Sequence, residues 1–193
     1  MRGPAAFAFL LPALALTAPA SAAAVQAEHP SAVQLFLDTC VAGELSAAAR
    51  EAAIEAKGGW TEVSSPTLDV PSFGISKALD RNFDYSKPAT VRQWTRTLDG
   101  VAVQAVVATF PGKRRYPTLC AIVLPSVKAA WPYDDAFEAG VKALGLKGKS
   151  TDLPHYYEYS GKVGAEKRPV RAEIFSRSQA SGEKNSMHLY IAF

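Results

Sequence analysis

Apolar residues first recur at helical spacing in Val33, Phe36, Leu37, Cys40 and Val41, just behind Pro30-Ser31, a pair that favours a helix start. One stripe of this helix is expected to face the core. Gly43 interrupts the pattern and Ser46 can cap a second helix. Ala49, Ala52, Ala53 and Ala56 give that helix a small-residue face before Gly58-Gly59 end it. The domain therefore opens with two short helices or one bent one.

From Trp60 the period changes to two. Trp60–Val63 predicts a first strand, and a long loop over 64–90, with Pro66, Pro71, Gly74 and Pro88, follows it. Val91–Leu98 and Val101–Phe110 flank Asp99-Gly100, a two-residue turn whose need for positive φ makes it a hairpin marker. A second hairpin passes through Pro111-Gly112-Lys113-Arg114-Arg115 into Tyr116–Leu124. Val101, Val103, Ala105 and Val107 alternate with Ala102, Gln104, Val106 and Ala108, so apolar groups face both ways and the strand is expected to be central.

Pro132 and Asp134 open a further helix in which Tyr133, Phe137, Val141 and Leu144 recur at helical spacing, with Gly145-Leu146 as its stop. Three more strands are predicted at His155–Gly161, Pro169–Arg177 and Met187–Phe193. The elements together predict an α+β fold, an antiparallel β-sheet of about five to seven strands with two or three helices packed on one face. The order helix, strands, helix, strands is that of an internal duplication, although no residue-level repeat accompanies it.

The first residues change the picture of the whole chain. Arg2, an apolar run from Ala5 to Leu16 and the small-residue exit Ala20-Ser21-Ala22 have the layout of a secretory signal peptide. A membrane-spanning helix needs about 20 apolar residues, and this run is shorter and carries Pro12. Residues 1–22 are therefore expected to be cleaved and 23–193 to form a single α+β domain in the periplasm, with no transmembrane segment in the mature form. Loss of Arg2 leaves 20 basic against 18 acidic residues. That balance is too mild to imply nucleic acid as a partner.

Export also bears on the two cysteines, Cys40 and Cys120, because structural disulfides persist in an oxidising compartment. A Cys40–Cys120 bond is expected, pinning the first helix to the sheet. The competing reading is a catalytic thiol activated by His29, His155 or His188. Cys120 lies within Leu119-Cys120-Ala121-Ile122-Val123-Leu124, an apolar setting that makes a thiol inert.

Other chemical motifs fail on inspection. Gly148-Lys149-Ser150 resembles the end of a phosphate-binding loop, but Ala143 stands where its earlier glycine belongs. Ser181-Gly182-Glu183-Lys184 has the S-x-x-K spacing within a polar turn. Three scattered histidines give no metal-site pattern, and Asp134, Asp135 and Glu138 suit the first turn of a helix. No catalytic residue, metal or cofactor is assigned. Met187, Leu189, Ile191 and Phe193 alternate like the closing strand of an outer-membrane barrel, but the helices and the shortage of alternating segments oppose that fold.

Binding is the chemistry left. If Met187, Leu189 and Ile191 point inward with Val170, Ala172 and Ile174, then Arg171, Glu173, Arg177, His188 and Tyr190 are expected on the opposite side, joined by Arg92, Trp94 and Arg96, and that side is either presented to solvent or hidden under the long loop. Arginines and aromatics in that arrangement suit an anionic glycan, a lipid headgroup or another envelope or secreted protein.

Phe36-Leu37-Asp38-Thr39-Cys40-Val41, a tryptophan some twenty residues later and a second mid-chain cysteine resemble a group of uncharacterised exported proteins and lipoproteins of proteobacteria, over about the first 130 residues. The resemblance implies the compartment and the disulfide, and carries no activity. Two functions are expected from the sequence. The first is a non-catalytic periplasmic binding protein, including an immunity-type inhibitor, acting through the polar sheet face or the Lys113-Arg114-Arg115 turn. The alternative is a small periplasmic hydrolase of cell-wall material with Glu158, Glu173 or His188 in a cleft.

Overall fold

The computed structural model describes residues 31–66, 87–127, 131–150, 156–164, 166–178 and 185–193. The predicted leader, the centre of the 64–90 loop and Ser181–Lys184 lie outside the described residues.

Helix α1 (Ser31–Phe36) runs directly into a π-helical turn, Leu37–Val41, instead of continuing as an α-helix. The buried stripe is as predicted, with Val33, Phe36, Cys40 and Val41 in the core. Helix α2 (Ala47–Ala56) begins at Ser46, whose hydroxyl accepts a hydrogen bond from Ala49 N at 3.2 Å. Its buried residues are Arg50 and Ile54, whereas Ala52 and Ala56 are exposed. The predicted alanine face is thus not the packing face, because the larger Ile54 and the stem of Arg50 remove more apolar surface from water than alanines can.

Eight strands follow: β1 (Thr61–Glu62), β2 (Thr90–Leu98), β3 (Val101–Thr109), β4 (Thr118–Val127), then, after α3 (Trp131–Ala143), β5 (Lys147–Ser150), β6 (Tyr156–Val163), β7 (Arg168–Ser178) and β8 (Asn185–Ala192). They form one antiparallel sheet in the order β1-β2-β3-β4-β8-β7-β6-β5. The sheet exceeds the five to seven strands expected because Lys147–Ser150, given no element from the sequence, is an edge strand. Among the described residues its order ends at β1 and β5, which do not pair with each other.

Asp99 and Gly100 both take positive φ, 51° and 77°, and join β2 to β3 as the sequence predicts. Pro125 sits inside β4, where a proline removes a ladder donor. It is accommodated by a register shift between Leu124 and Val127, which face Met187 and Asn185.

The topology has two halves. Each opens with helix, passes through positive-φ glycine (Gly58 and Gly59 in one, Gly145 in the other) into a short edge strand, and ends in a strand at the centre, β4 beside β8. This is the duplication-like order anticipated from the sequence.

The described helices all lie on one face. α1 rests on β4 and β8, α2 on β3 and β4, and α3 on β7. The core beneath them includes Phe36, Ile54, Trp94, Ile122, Phe137, Ile174, Leu189 and Ile191. Cys40 and Cys120 are joined across it with their Cα atoms 5.4 Å apart and neither residue exposed. The thiol alternative is excluded in this state. In the loop-closure account, a bond spanning 80 residues stabilises the fold by about 4–5 kcal/mol.

Candidate functional site

Register divides the predicted binding residues between two faces. Trp94 is opposite Ala105 and shares the helix-covered core, so Arg92, Trp94 and Arg96 lie on the same side of the sheet as the helices. Arg171, Glu173, His188 and Tyr190 lie on the other side, in rows with Leu119, Ala121 and Val123 of β4. The single shared surface expected from the sequence does not exist.

Nor is that second side solvated. Val106, Ala108, Phe110, Tyr116, Leu119, Ala121, Val123, Tyr190 and Ala192 form a second buried cluster. Arg171, His188 and Tyr190 are buried and Glu173 has no exposed surface. Alternation told the two faces apart correctly, since Val170, Ala172, Ile174, Met187, Leu189 and Ile191 are all in the main core. A polar face hidden from water was the alternative the sequence left open, and the arrangement of its charges shows how it can be buried. Glu158 and Glu173 are cross-strand neighbours and would repel each other. Arg171 lies between them, pairing with Glu158 at 2.5 Å through Nη2 and donating from Nε to Glu173 Oε1. Tyr156 donates to Glu173 Oε2 at 2.6 Å, and Tyr190 donates to the same oxygen.

Burial pushes the Glu173 carboxyl above its ordinary range, opposed by Arg171 and the two hydroxyls. Burial also pushes up both tyrosines, reinforced by the Glu173 charge. The guanidinium of Arg171 is drawn down by burial but held up, on balance, by Glu173 and Glu158. With both its oxygens accepting internal hydrogen bonds, Glu173 acts as a structural acceptor in this arrangement. Beside the cluster, the His188 ring stacks on Phe175 at 4.6 Å, and its Nε2 is 3.0 Å from Ser186 Oγ. Arg177 faces Ser186 in the ladder, and its side chain is outside the described residues.

On the helix side, Arg92 is fully engaged. It meets Glu51 and Glu55 of α2 at 2.9 Å each and Glu62 of β1 at 2.8 Å, and its guanidinium lies 4.7 Å from the centre of the Trp94 ring. Bonds to Glu62 and Glu51 raise its pKa further above the ordinary arginine value. Trp94 beneath it is 2% exposed. Both residues clamp α2 to β2.

Arg96, one period further along β2, behaves differently. Its Nη1 donates to Gly58 O at 3.3 Å and its guanidinium lies 5.2 Å from the Trp60 ring centre. No carboxylate among the described residues pairs with it. It lines an open depression of about 530 Å³ with Ser31, Gln34, Leu35, Asp38, Lys57 and Leu98. Asp38 accepts from Gln34 Nε2 at 2.7 Å and from Lys57 Nζ at 2.6 Å. Burial raises its pKa, but Lys57 and Gln34 outweigh that and hold it below the ordinary aspartate value. Sequence reasoning selected Arg96 but missed Trp60, Asp38 and Lys57, which come from three elements and meet only in space. The tryptophan directly after Gly58-Gly59 was the one available signal.

The remaining candidates are local. In the Lys113-Arg114-Arg115 turn, Arg114 Nε donates to Pro111 O at 3.1 Å, and Arg115 lies 5.3 Å from the Tyr116 ring centre. A second cleft, about 350 Å³, lies between Gly43–Leu45 and the β6–β7 turn, where Arg168 bonds Leu45 O at 2.8 Å. Gly148 of the phosphate-loop look-alike is in β5 beneath the ring of Tyr159. Among the described residues no group of three or more histidines, cysteines or acids is placed to hold a metal. In comparisons with known proteins, no family model, curated protein or solved structure matches the chain.

Proposed function

We propose that this chain is a non-catalytic protein of the bacterial envelope, exported by cleavage after Ala22, which binds an anionic partner through the depression around Arg96. One observation carries the reading. The guanidinium of Arg96 lies over an indole at the edge of an open depression without a carboxylate partner among the described residues, while Arg92 on the same strand face has three. A cation left unneutralised on a preorganised support suits recognition of something brought from outside. The Cys40–Cys120 bond and the leader-like first residues support the compartment.

The test is retention. Mature protein with its disulfide intact is mixed with sedimentable envelope fractions at low and moderate salt, and the bound fraction is measured for wild type and Arg96→Ala. Salt-sensitive retention lost in the variant is expected, whereas equal recovery of both proteins overturns the reading. The N-terminal residue of the protein recovered from a periplasmic fraction checks the export step.

A hydrolase is favoured by one contact, Ser186 Oγ to His188 Nε2 at 3.0 Å, the pairing through which a histidine can activate a serine. Covalent labelling of Ser186 by a fluorophosphonate, lost in His188→Ala, would establish that reading in place of simple binding.

A further inference from the structure

We infer that the group recognised at Arg96 is a single carboxylate, held by the free edge of the guanidinium. This inference rests on the binding reading above and names the chemistry at the same depression. The charged residues that line it are Asp38, Lys57 and Arg96, one acid and two bases. Asp38 has one oxygen on Gln34 and the other on Lys57, so it and Lys57 neutralise each other and one positive charge is left over. That charge is on Arg96.

Geometry selects the kind of anion. The indole of Trp60 supports one face of the guanidinium and Gly58 O accepts from Nη1. These two contacts restrain the guanidinium, and among the described residues no other acceptor pairs with its remaining N–H donors. A planar fork pre-set in this way matches the two oxygens of a carboxylate, and little side-chain entropy is lost on binding. Phosphate offers the same edge but brings more negative charge, for which the depression has no second free base. Lys57 is committed to Asp38 at 2.6 Å. Ser31 and Gln34 on the same wall add groups able to hydrogen-bond hydroxyls or amides next to the carboxylate. Two sources present that chemistry, a uronic sugar and the C-terminus of a short peptide.

The test is a titration of the mature, disulfide-bonded protein followed by the nitrogen-bound proton signals of Arg96 Nε and Trp60 Nε1. The ligands are D-glucuronate with methyl glucoside as its neutral control, trialanine with its C-terminal amide as control, and inorganic phosphate. At least one carboxylate is expected to move both signals and to bind about tenfold or more tightly than its neutral control, since a hydrogen bond to a charged group is worth about 1.5–3 kcal/mol. Which acid does so identifies the source. Arg96→Lys keeps the charge and removes the fork, and should weaken binding by a similar factor, while Arg115→Ala leaves it unchanged.

Phosphate binding alone, or no movement of Arg96 with either acid, overturns the inference. Retention on envelope fractions without any carboxylate response would sink the carboxylate and leave the binding reading standing. A carboxylate response without retention would do the reverse.

Discussion

The ring of Tyr159 crowds Gly148, its partner across the β5–β6 ladder, so that a Cβ at position 148 would collide with the ring's Cε1 and Cδ1 atoms. Tyr159 is 3% exposed and its ring centre is 5.9 Å from that of Phe137 on α3. Gly148 therefore lets the edge strand pass close enough for an aromatic side chain to seal the end of the core.

Gly148→Ala is accordingly expected to destabilise the protein by about 1–3 kcal/mol, the usual penalty for overpacking a well-filled site. Urea unfolding measures it. Smaller side chains at 159 should absorb the added methyl, so the double variant Gly148→Ala/Tyr159→Leu should be more stable than additivity of the two single changes allows. Strict additivity would show that the two residues do not share this space.

Removal of the disulfide should weaken the fold without altering its core. Cys40→Ala/Cys120→Ala is expected to lose about 3–5 kcal/mol, most of it through the less constrained unfolded chain. In the wild type neither sulfur should react with an alkylating reagent, folded or unfolded, until the bond is reduced, because both are held in the disulfide. Mass spectrometry of the denatured protein alkylated before and after reduction decides this.

Much of the fold was legible because it depends on local chemistry. Asp99-Gly100 dictates a hairpin, Ser46 a helix start and Gly145 a helix stop, and alternation in β3 and β8 marks which side chains enter the core. The failures have a shared cause. Lys147–Ser150 is a strand only because β6 offers it a partner, and four residues of lysine, glycine and serine carry no pattern of their own. Whether the second face is solvated or hidden stayed open because Arg171, Glu173, His188 and Tyr190 are polar types. Whether polar groups are buried depends on their partners, and Glu158, Tyr156 and Ser186 become partners only through strand order. The site around Arg96 was half visible for the same reason, since periodicity selects the arginine but not the Trp60 and Lys57 that come to it from other elements.

The Glu173 cluster gives stability a pH dependence of defined sign. Its folded pKa is raised by burial, so between the ordinary glutamate value and the raised one the folded chain binds more protons than the unfolded chain. That contribution is fully present below the unfolded pKa and is lost as pH rises through the folded pKa. Asp38 and Glu138 have lowered values and act oppositely, losing their contribution as pH falls. Both remain in Glu173→Gln. The difference between wild type and Glu173→Gln, followed by urea midpoints from pH 4 to pH 9, should therefore change in favour of the variant as pH rises. A constant difference would mean that Glu173 does not titrate in that window.

Arg92 and Arg96 separate structural from recognition roles on one strand face. Arg92→Ala removes three carboxylate contacts and a stacked ring from a partly exposed position, which corresponds to about 1–2 kcal/mol. It also leaves Glu51, Glu55 and Glu62 facing one another without a cation, so the loss should shrink in high salt as their repulsion is screened. Arg96→Ala loses one long hydrogen bond and one exposed stack, for about 0.5–1 kcal/mol with little salt dependence. Thermal unfolding at low and high salt compares the two. A larger loss at Arg96 than at Arg92 would mean that Arg96 carries the fold, and its place in binding would have to be abandoned.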